Sequence, residues 1–359
     1  MLAVNSTREA SMPNDPQPPT PGFQFASDNT SGACPEALAA LVDANAGAAA
    51  SYGNDPYTAA VADRLREIFE SDCEVFFVFN GTAANSLAVS ACCHSYHSII
   101  CSESAHLETD ECGGPEFFSG GAKLLLAETC AGRLDPASVE RLVTRRTDIH
   151  YPKPHVLSLT QPTELGTVYS LVQLEELGQT ARRLGLRMHV DGARFANAVA
   201  ALRVSPAEIV RKACADVLCL GGTKLGLPVG EAVLFFDRKL AGDFAYRCKQ
   251  AGQLASKMRF LTAPWLGVFE NDAWLRHAEH ANRMATRLAR GLGSVTAAQL
   301  LYPTEANAVF AALPASVHER LAERGWRYYT FIEQGAARFM CSWATTESEV
   351  DALLTDIQA

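Results

Sequence analysis

The sequence predicts an α/β fold: a large domain built on a mostly parallel sheet between helices, then a smaller α+β domain at the C-terminal end. Three observations predict it. Short apolar runs alternate with amphipathic stretches from about residue 74 to residue 237, the pattern of a parallel sheet covered on both faces. From about residue 240 the pattern is helical. The tail then returns to short strands and helices.

The elements follow in order. "MLAVNSTREASMPNDPQPPTPG" is rich in Pro, Ser and Asn and lacks the apolar centre of a secretory signal, so residues 1–22 read as a flexible arm. "AALVDANAG" and "YTAAVADRLREIF" carry helical periodicity. "CEVFFVF" is a short buried strand running into "NGTAANSLAVSACC", where a glycine turn opens into a helix. "HSIICS" and "AKLLLAE" are strands, and "HVLSLT" is a strand ending in the loop "QPTELGTVY". "LVQLEELGQTARRLG" is an amphipathic helix, "LRMHVDGA" a strand, "AEIVRKACA" a helix, and "DVLCLGG" and "EAVLFFD" strands. Two helical stretches come next, "LAGDFAYRCKQAGQLASKMRFLTAPW" and "AWLRHAEHANRMATRLARGL". "ANAVFAAL", "HERLAERG", "ARFMCSW" and "ESEVDALLTDI" complete the tail. The expected division is a large domain over 23–270 and a small one over 271–359.

Bulk properties exclude several classes. With 359 residues, 48% hydrophobic and 20% charged, the chain has the balance of a soluble globular protein. A net charge of −9 argues against a nucleic-acid surface or an anionic membrane as the main partner. No apolar run reaches the roughly 18–20 residues of a membrane span. The 11 cysteines are scattered and form no CxxC pair, which fits reduced thiols in a cytoplasmic protein. No metal-ligand cluster is visible along the chain, so no metal is expected.

Two stretches hold the chemistry. "HVDGARF" at 189–195 ends an apolar run on a lone acid, Asp191, with Arg194 three residues later. "LGGTKLG" at 220–226 sets one lysine, Lys224, in a nearly uncharged, glycine-flanked stretch. Ligands of open α/β sheets bind beyond the carboxyl ends of strands. Asp191, Lys224 and "NGTAAN" all follow strands and share one sheet edge. Desolvation favours the neutral amine, a nucleophile toward a carbonyl. A nearby acid can hold the ring nitrogen of a pyridine aldehyde. The helix start at Gly81 and Thr82 suits a phosphate, and Arg194 adds a positive charge. These parts together describe a pocket for pyridoxal 5'-phosphate (PLP).

The motifs "FASDN" (25–29), "YGNDPYT" (52–58), "FNGTAAN" (79–85), "SAHLETDECG" (104–113), "HVDGARF", "GGTKLGLPVGEA" (221–232) and "ARFMCSWATT" (337–346) carry a resemblance. The chain resembles the low-specificity L-threonine aldolases, most closely the bacterial branch that includes phenylserine aldolases. The resemblance implies the aspartate-aminotransferase type of PLP fold, with active sites between two subunits of a homo-oligomer, a dimer or tetramer. It implies a Schiff base on Lys224, Asp191 at the pyridine nitrogen, Gly81, Thr82 and Arg194 at the phosphate, and His106 stacked on the ring. It further implies Ser27 and Arg338 at the substrate carboxylate, Tyr52 near the substrate, and Arg259 near a neighbouring subunit's phosphate. Many relatives carry a second histidine in the loop matching "TQPTELGTV". Here Gln161 and Glu164 are its polar residues, which leaves His106, Glu164 or an ordered water as the base on the β-hydroxyl.

The activity so implied is aldol cleavage of L-β-hydroxy-α-amino acids, such as threonine, allo-threonine and phenylserine, to glycine and an aldehyde. Another PLP lyase or an aminotransferase shares the same pocket parts. A dinucleotide oxidoreductase would also use a parallel sheet, but no G-x-G-x-x-G follows an early strand.

Overall fold

The structure, a computed structural model, describes residues 24–330 and 336–359; the expected arm over 1–22 lies outside them. The strands are β1 (Glu74–Val78), β2 (His97–Ser102), β3 (Lys123–Ala127), β4 (Thr129–Cys130), β5 (Arg133–Leu134), β6 (Lys153–Thr160), β7 (Arg187–Gly192), β8 (Val217–Leu220), β9 (Glu231–Phe235), β10 (Gln299–Leu300), β11 (Ala308–Ala312) and β12 (Ala336–Met340). Seven of them form the large sheet in the order β1-β9-β8-β7-β6-β2-β3. Every neighbouring pair is parallel except those of β9, which runs against both β1 and β8. This is the mostly parallel sheet the sequence predicts.

Strands β2, β8 and β9 are buried at every position, and their centres read as unbroken apolar runs. Their side chains still alternate between two cores. Leu218, Leu220 and Leu234 join Leu65, Leu174, Ile209 and Trp265 on one face. Val217, Cys219, Val233 and Phe235 join Leu87, Val89 and Phe244 on the other. Each leucine-sized side chain so buried contributes roughly 1.5–3 kcal/mol. The helix Gly81–Cys92 is apolar nearly all round, because it lies buried between the sheet and the helices Gly114–Ser119 and Phe244–Gln250.

The helical stretch expected from about residue 240 is interrupted. One helix ends at Gln250, Gly252 takes the left-handed conformation (φ +72°), and a second helix runs over Arg259–Phe269. Glycine at that position ends the first helix at little steric cost. The next helix, Ala273–Leu292, spans the two units: Trp274 and Ala278 pack into the large core, Met284, Leu288 and Leu292 into the C-terminal one.

The C-terminal unit is the antiparallel sheet β10-β11-β12 backed by helices. The expectation grouped residue 23 onward with the large domain. Phe25, however, sits in the C-terminal core beside Trp326 and Phe339. Its N–H donates to the Arg327 carbonyl (2.8 Å) and its carbonyl accepts from the Met340 N–H (2.8 Å). An extended apolar segment thus takes up backbone groups at the sheet edge. This docking brings Ser27 and Asp28 up to β12. No helix among the described residues is long and apolar enough to cross a membrane.

Candidate active site

Strands β1, β7 and β8 all end at one edge of the large sheet. A cavity of about 300 Å³ opens there, lined among others by Gly81, Thr82, His106, Asp191, Lys224 and Glu231. All six lie within motifs singled out along the sequence.

At one end of the cavity the helix Gly81–Cys92 begins. Its N-cap, Asn80, accepts from the Ala83 N–H through its side chain (2.9 Å) and from the Ala84 N–H through its carbonyl (3.1 Å). The N–H groups of Gly81 and Thr82 have no such partner among the described residues, and nothing lies within 4 Å of where a Gly81 Cβ would be. An open helix start of this kind binds anions.

Asp191 is buried near the end of β7. One carboxylate oxygen accepts from the Ala193 N–H (2.9 Å), the other from Asn85 Nδ2 (2.9 Å). Asn85 also donates to Glu111 (2.8 Å), which accepts from Ser86 as well (3.1 Å). The same Glu111 oxygen lies 2.9 Å from His106 Nδ1. Asp191, Asn85, Glu111 and His106 thus form one hydrogen-bonded chain, buried up to His106, whose side chain is 34% exposed. Glu111 holds the His106 pKa above the usual imidazole range, while burial raises Glu111's own. With Nδ1 bonded to the carboxylate, Nε2 is the ring nitrogen left to face the cavity.

Lys224 follows β8 on a short 3-10 turn, Thr223–Leu225. The glycines before it serve close approach: a Cβ on Gly221 would lie 2.1 Å from the Ala193 carbonyl, and one on Gly222 2.4 Å from the Gly230 carbonyl. The lysine turn is therefore pressed against the loop that follows Asp191. Gly222 N–H donates to buried Glu231 (2.5 Å), which fixes the turn from below. Burial, with Arg194 adding to it, pulls the Lys224 pKa below the usual lysine range.

Two arginines and one acid gather near the docked N-terminal segment. Arg194 grips buried Asp28 through two bonds, Nε at 2.6 Å and Nη2 at 2.9 Å. Asn307 donates to the same acid (3.1 Å). Burial alone would raise the Asp28 pKa, but Arg194, Lys224 and Asn307 together outweigh it and the net shift is downward. Arg338, on β12, donates to the Ala26 carbonyl (2.9 Å) and lies over the Tyr329 ring. Burial, and then Arg194, lower its pKa to about 10.

The β-eliminating lyase family model matches residues 24–315. The low-specificity L-threonine aldolase of Pseudomonas aeruginosa is 61% identical over 93% of this chain and 97% of its own. That of Pseudomonas sp. strain NCIMB 10558 is 59% identical over 94% and 97%. The solved Leishmania major threonine aldolase superposes with a TM-score of 0.88 at 27% identity, covering 93% of this chain and 98% of that one. The chain belongs to the β-eliminating lyase family, among the threonine aldolases.

The remaining residues expected from the threonine aldolase resemblance fall in three places. Arg194, expected at the phosphate, is committed to Asp28 and is absent from the lining shared by Gly81 and Thr82; it stands with Arg338 instead. The cause is the docking of residues 24–28 onto β12, which puts Asp28 beside it. Ser27 caps the short helix Asp28–Thr30, accepting from the Asn29 N–H (3.2 Å). Glu164 lies behind His106 rather than in the cavity wall. One carboxylate oxygen accepts from Thr160 (2.7 Å) and from the His106 N–H (3.0 Å), and burial lifts its pKa to about 7. Gln161 is fully occupied by the backbone of Tyr169.

Tyr52 and Arg259 lie outside this threonine aldolase cavity, Tyr52 exposed and Arg259 half-buried. Tyr52 is 48% exposed, in the left-handed conformation (φ +59°), with Lys249 Nζ 4.8 Å from its ring centre. Arg259 donates to the Gly47 carbonyl at 3.1 and 3.2 Å. Residue reading assigned no role to Asp28, Asn85, Glu111, Glu231 or Asn307. The first four sit inside motifs that drew attention for other residues, and that was their only signal.

Proposed function

We propose that this chain cleaves L-β-hydroxy-α-amino acids, threonine, allo-threonine and phenylserine among them, to glycine and an aldehyde, using PLP. The observation that carries the reading is the meeting of a lowered-pKa lysine, a buried acid and an open helix start in one cavity. The donor set fits PLP. Lys224 supplies an amine biased to the neutral form for the aldehyde carbon. Asp191 is an acceptor for a protonated ring nitrogen, and the Gly81 and Thr82 N–H groups with the Thr82 hydroxyl suit the phosphate. Bound PLP supplies the electron sink for the broken carbon–carbon bond.

The chain's own residues do the rest. Arg338 and Arg194, with Ser27 nearby, hold the substrate carboxylate. Arg194 is read here as a carboxylate residue, on the strength of its pairing with Asp28. His106, fixed through Nδ1 by Glu111, offers Nε2 to take the β-hydroxyl proton. Glu164 positions the His106 backbone and is read as support for that base.

The same reading extends to a homo-oligomer, supported by the positions of exposed Tyr52 and half-buried Arg259 outside their own cavity. It extends to the cytoplasm, supported by eleven free thiols. Lys224→Ala tests the core of it. The wild-type near-visible absorbance and glycine release from threonine and phenylserine are expected to vanish together. Normal turnover in that variant overturns the reading. Keto-acid in place of glycine and aldehyde from the wild type assigns the pocket to β-elimination or transamination. Light scattering of the holoenzyme checks assembly, and a monomer removes Tyr52 and Arg259 from the site.

A further inference from the structure

We propose that Cys34, Glu36 and His277 form a binding site for one thiophilic divalent cation of the Zn²⁺ class, separate from the PLP cavity. No ligand spacing announces it along the chain; the fold assembles it from two helices. Cys34 caps the helix Pro35–Asp43, Glu36 stands in its first turn, and His277 projects from the helix Ala273–Leu292. One sulfur, one carboxylate oxygen and one ring nitrogen lie within 4.8 Å of one another. A tetrahedral Zn²⁺ with bonds of about 2.0–2.3 Å holds its ligand atoms about 3.3–3.8 Å apart. Side-chain rotation of roughly an ångström closes the difference, and water fills the fourth position.

The donors suit such an ion. Thiolate, imidazole and carboxylate together are the ligand set of borderline-soft Zn²⁺. His277 Nε2 already lies 3.1 Å from Glu36 Oε2, so both side chains converge. The second carboxylate oxygen faces Arg276 at 3.8 Å, which orients the group and leaves the first for the metal. A thiolate and a carboxylate against this one guanidinium leave a net charge of −1 to attract the cation. Cys34 is fully buried, whereas the Glu36 and His277 side chains are 32% and 17% exposed. Access is therefore from the acid–histidine side, with the sulfur at the bottom. Binding breaks the His277–Glu36 hydrogen bond and turns the Cys34 thiol into a thiolate, its proton leaving to solvent; no electron is transferred.

The site adjoins the lysine turn. The Cys34 N–H donates to the Gly226 carbonyl (2.7 Å), two residues beyond Lys224. A small cavity of about 10 Å³, room for one water, lies between His277 and Lys224. A metal here braces the first helix, the helix Ala273–Leu292 and the Lys224 turn against one another.

The experiment is a Co²⁺ titration of chelator-treated holoenzyme, followed by the visible bands of tetrahedral Co²⁺ and by thiolate-to-cobalt charge transfer. One Co²⁺ per protomer, displaced by Zn²⁺, is expected. Cys34→Ser should abolish the charge transfer, and His277→Gln should weaken binding by at least about tenfold. Cys112→Ser, an exposed thiol elsewhere, and His94→Gln should change neither. Zn²⁺ should raise the Tm of the wild type and leave that of Cys34→Ser unmoved. Unaltered cobalt spectra in Cys34→Ser, absence of tetrahedral bands in the wild type, or their loss in His94→Gln each overturn the proposal. Lys224→Ala keeps the three ligands, so its cobalt spectrum persists even if the aldolase reading fails, and the two ideas fail separately.

Discussion

The two ends of the active-site region are built from opposite charges. Around Asp191 the buried groups are acids and amides: Asn85 and Glu111 behind it, with His106 the single titratable base in the chain. Around Asp28 the half-buried groups are cations: Arg194 in a two-bond grip and Arg338 close enough to lose pKa to it, with buried Asn307 completing the acid's shell. The first end lacks a cation and so favours positive charge on whatever enters. The second holds two guanidiniums against one carboxylate and so favours an anion. A protonated pyridine at one end and an amino-acid carboxylate at the other satisfy both. On the proposed reading, the direction of that field, more than any single side chain, would orient the substrate.

The comparison is broken most severely at Asp28. Removing it strands Arg194, whose side chain is only 18% exposed, without its partner, a change that costs about 3–5 kcal/mol. Asp28→Ala is expected to lower the unfolding free energy by that amount in urea titrations. A loss below about 1 kcal/mol would show that the pair is screened and that the second end is wetter than its geometry implies.

At the other end, Asp191→Asn keeps the shape and removes the charge. Two hydrogen bonds now received from Ala193 and Asn85 force the new amide to place a donor where one was accepted. Loss of a preorganised charge at a reacting centre costs about 10²–10³ in rate. The expected result is a kcat drop of that order with substrate KM little altered, because the carboxylate end is untouched. A variant with normal kcat would remove the cation preference from this end.

The legibility of these two ends in the sequence differs for a physical reason. Asp191, Lys224 and Gly81 lie where strands end, and strand ends are marked by local apolar runs and glycines. The parallel sheet and the shared edge followed from the same local signal. The Asp28–Arg194 pair joins residues 166 apart and exists because Phe25 docks on β12, a contact with no periodic signature. Reading Arg194 from its neighbour Asp191 placed it at the phosphate, whereas its two-bond contact is with Asp28. Glu111 was invisible for the same reason, since its partner Asn85 lies 26 residues earlier on the helix Gly81–Cys92. The Cys34–Glu36–His277 cluster is a third such case.

Glu164 sharpens the comparison by asking how dry the acidic end is. Its carboxylate has one buried oxygen with no partner and a pKa raised by burial to about 7. An acid whose pKa is raised on folding binds its proton more tightly in the native state. Its contribution is therefore present below the unfolded value near 4.5 and lost as pH rises through 7, a swing of about 3 kcal/mol. Glu164→Gln retains an oxygen for Thr160 and the His106 N–H. Its stability relative to wild type should be similar at pH 4 and greater by up to about 3 kcal/mol at pH 8. Parallel pH–stability curves would mean that water reaches this carboxylate.

The smallest effect expected is at Arg338, because Arg194 remains beside it to hold part of the anion. Arg338→Ala removes a charge-assisted contact worth about 2–3 kcal/mol, so KM for threonine should rise by roughly 30- to 150-fold. The kcat at saturation should fall less, since the cavity around Lys224 and Asp191 is intact. Arg338→Lys separates charge from shape: a lysine restores the field but not the planar fork, and should recover only part of the loss. If KM is unchanged in Arg338→Ala while Arg194→Lys raises it sharply, then Arg194 alone carries the carboxylate, and the cationic end consists of one guanidinium that Asp28 orients.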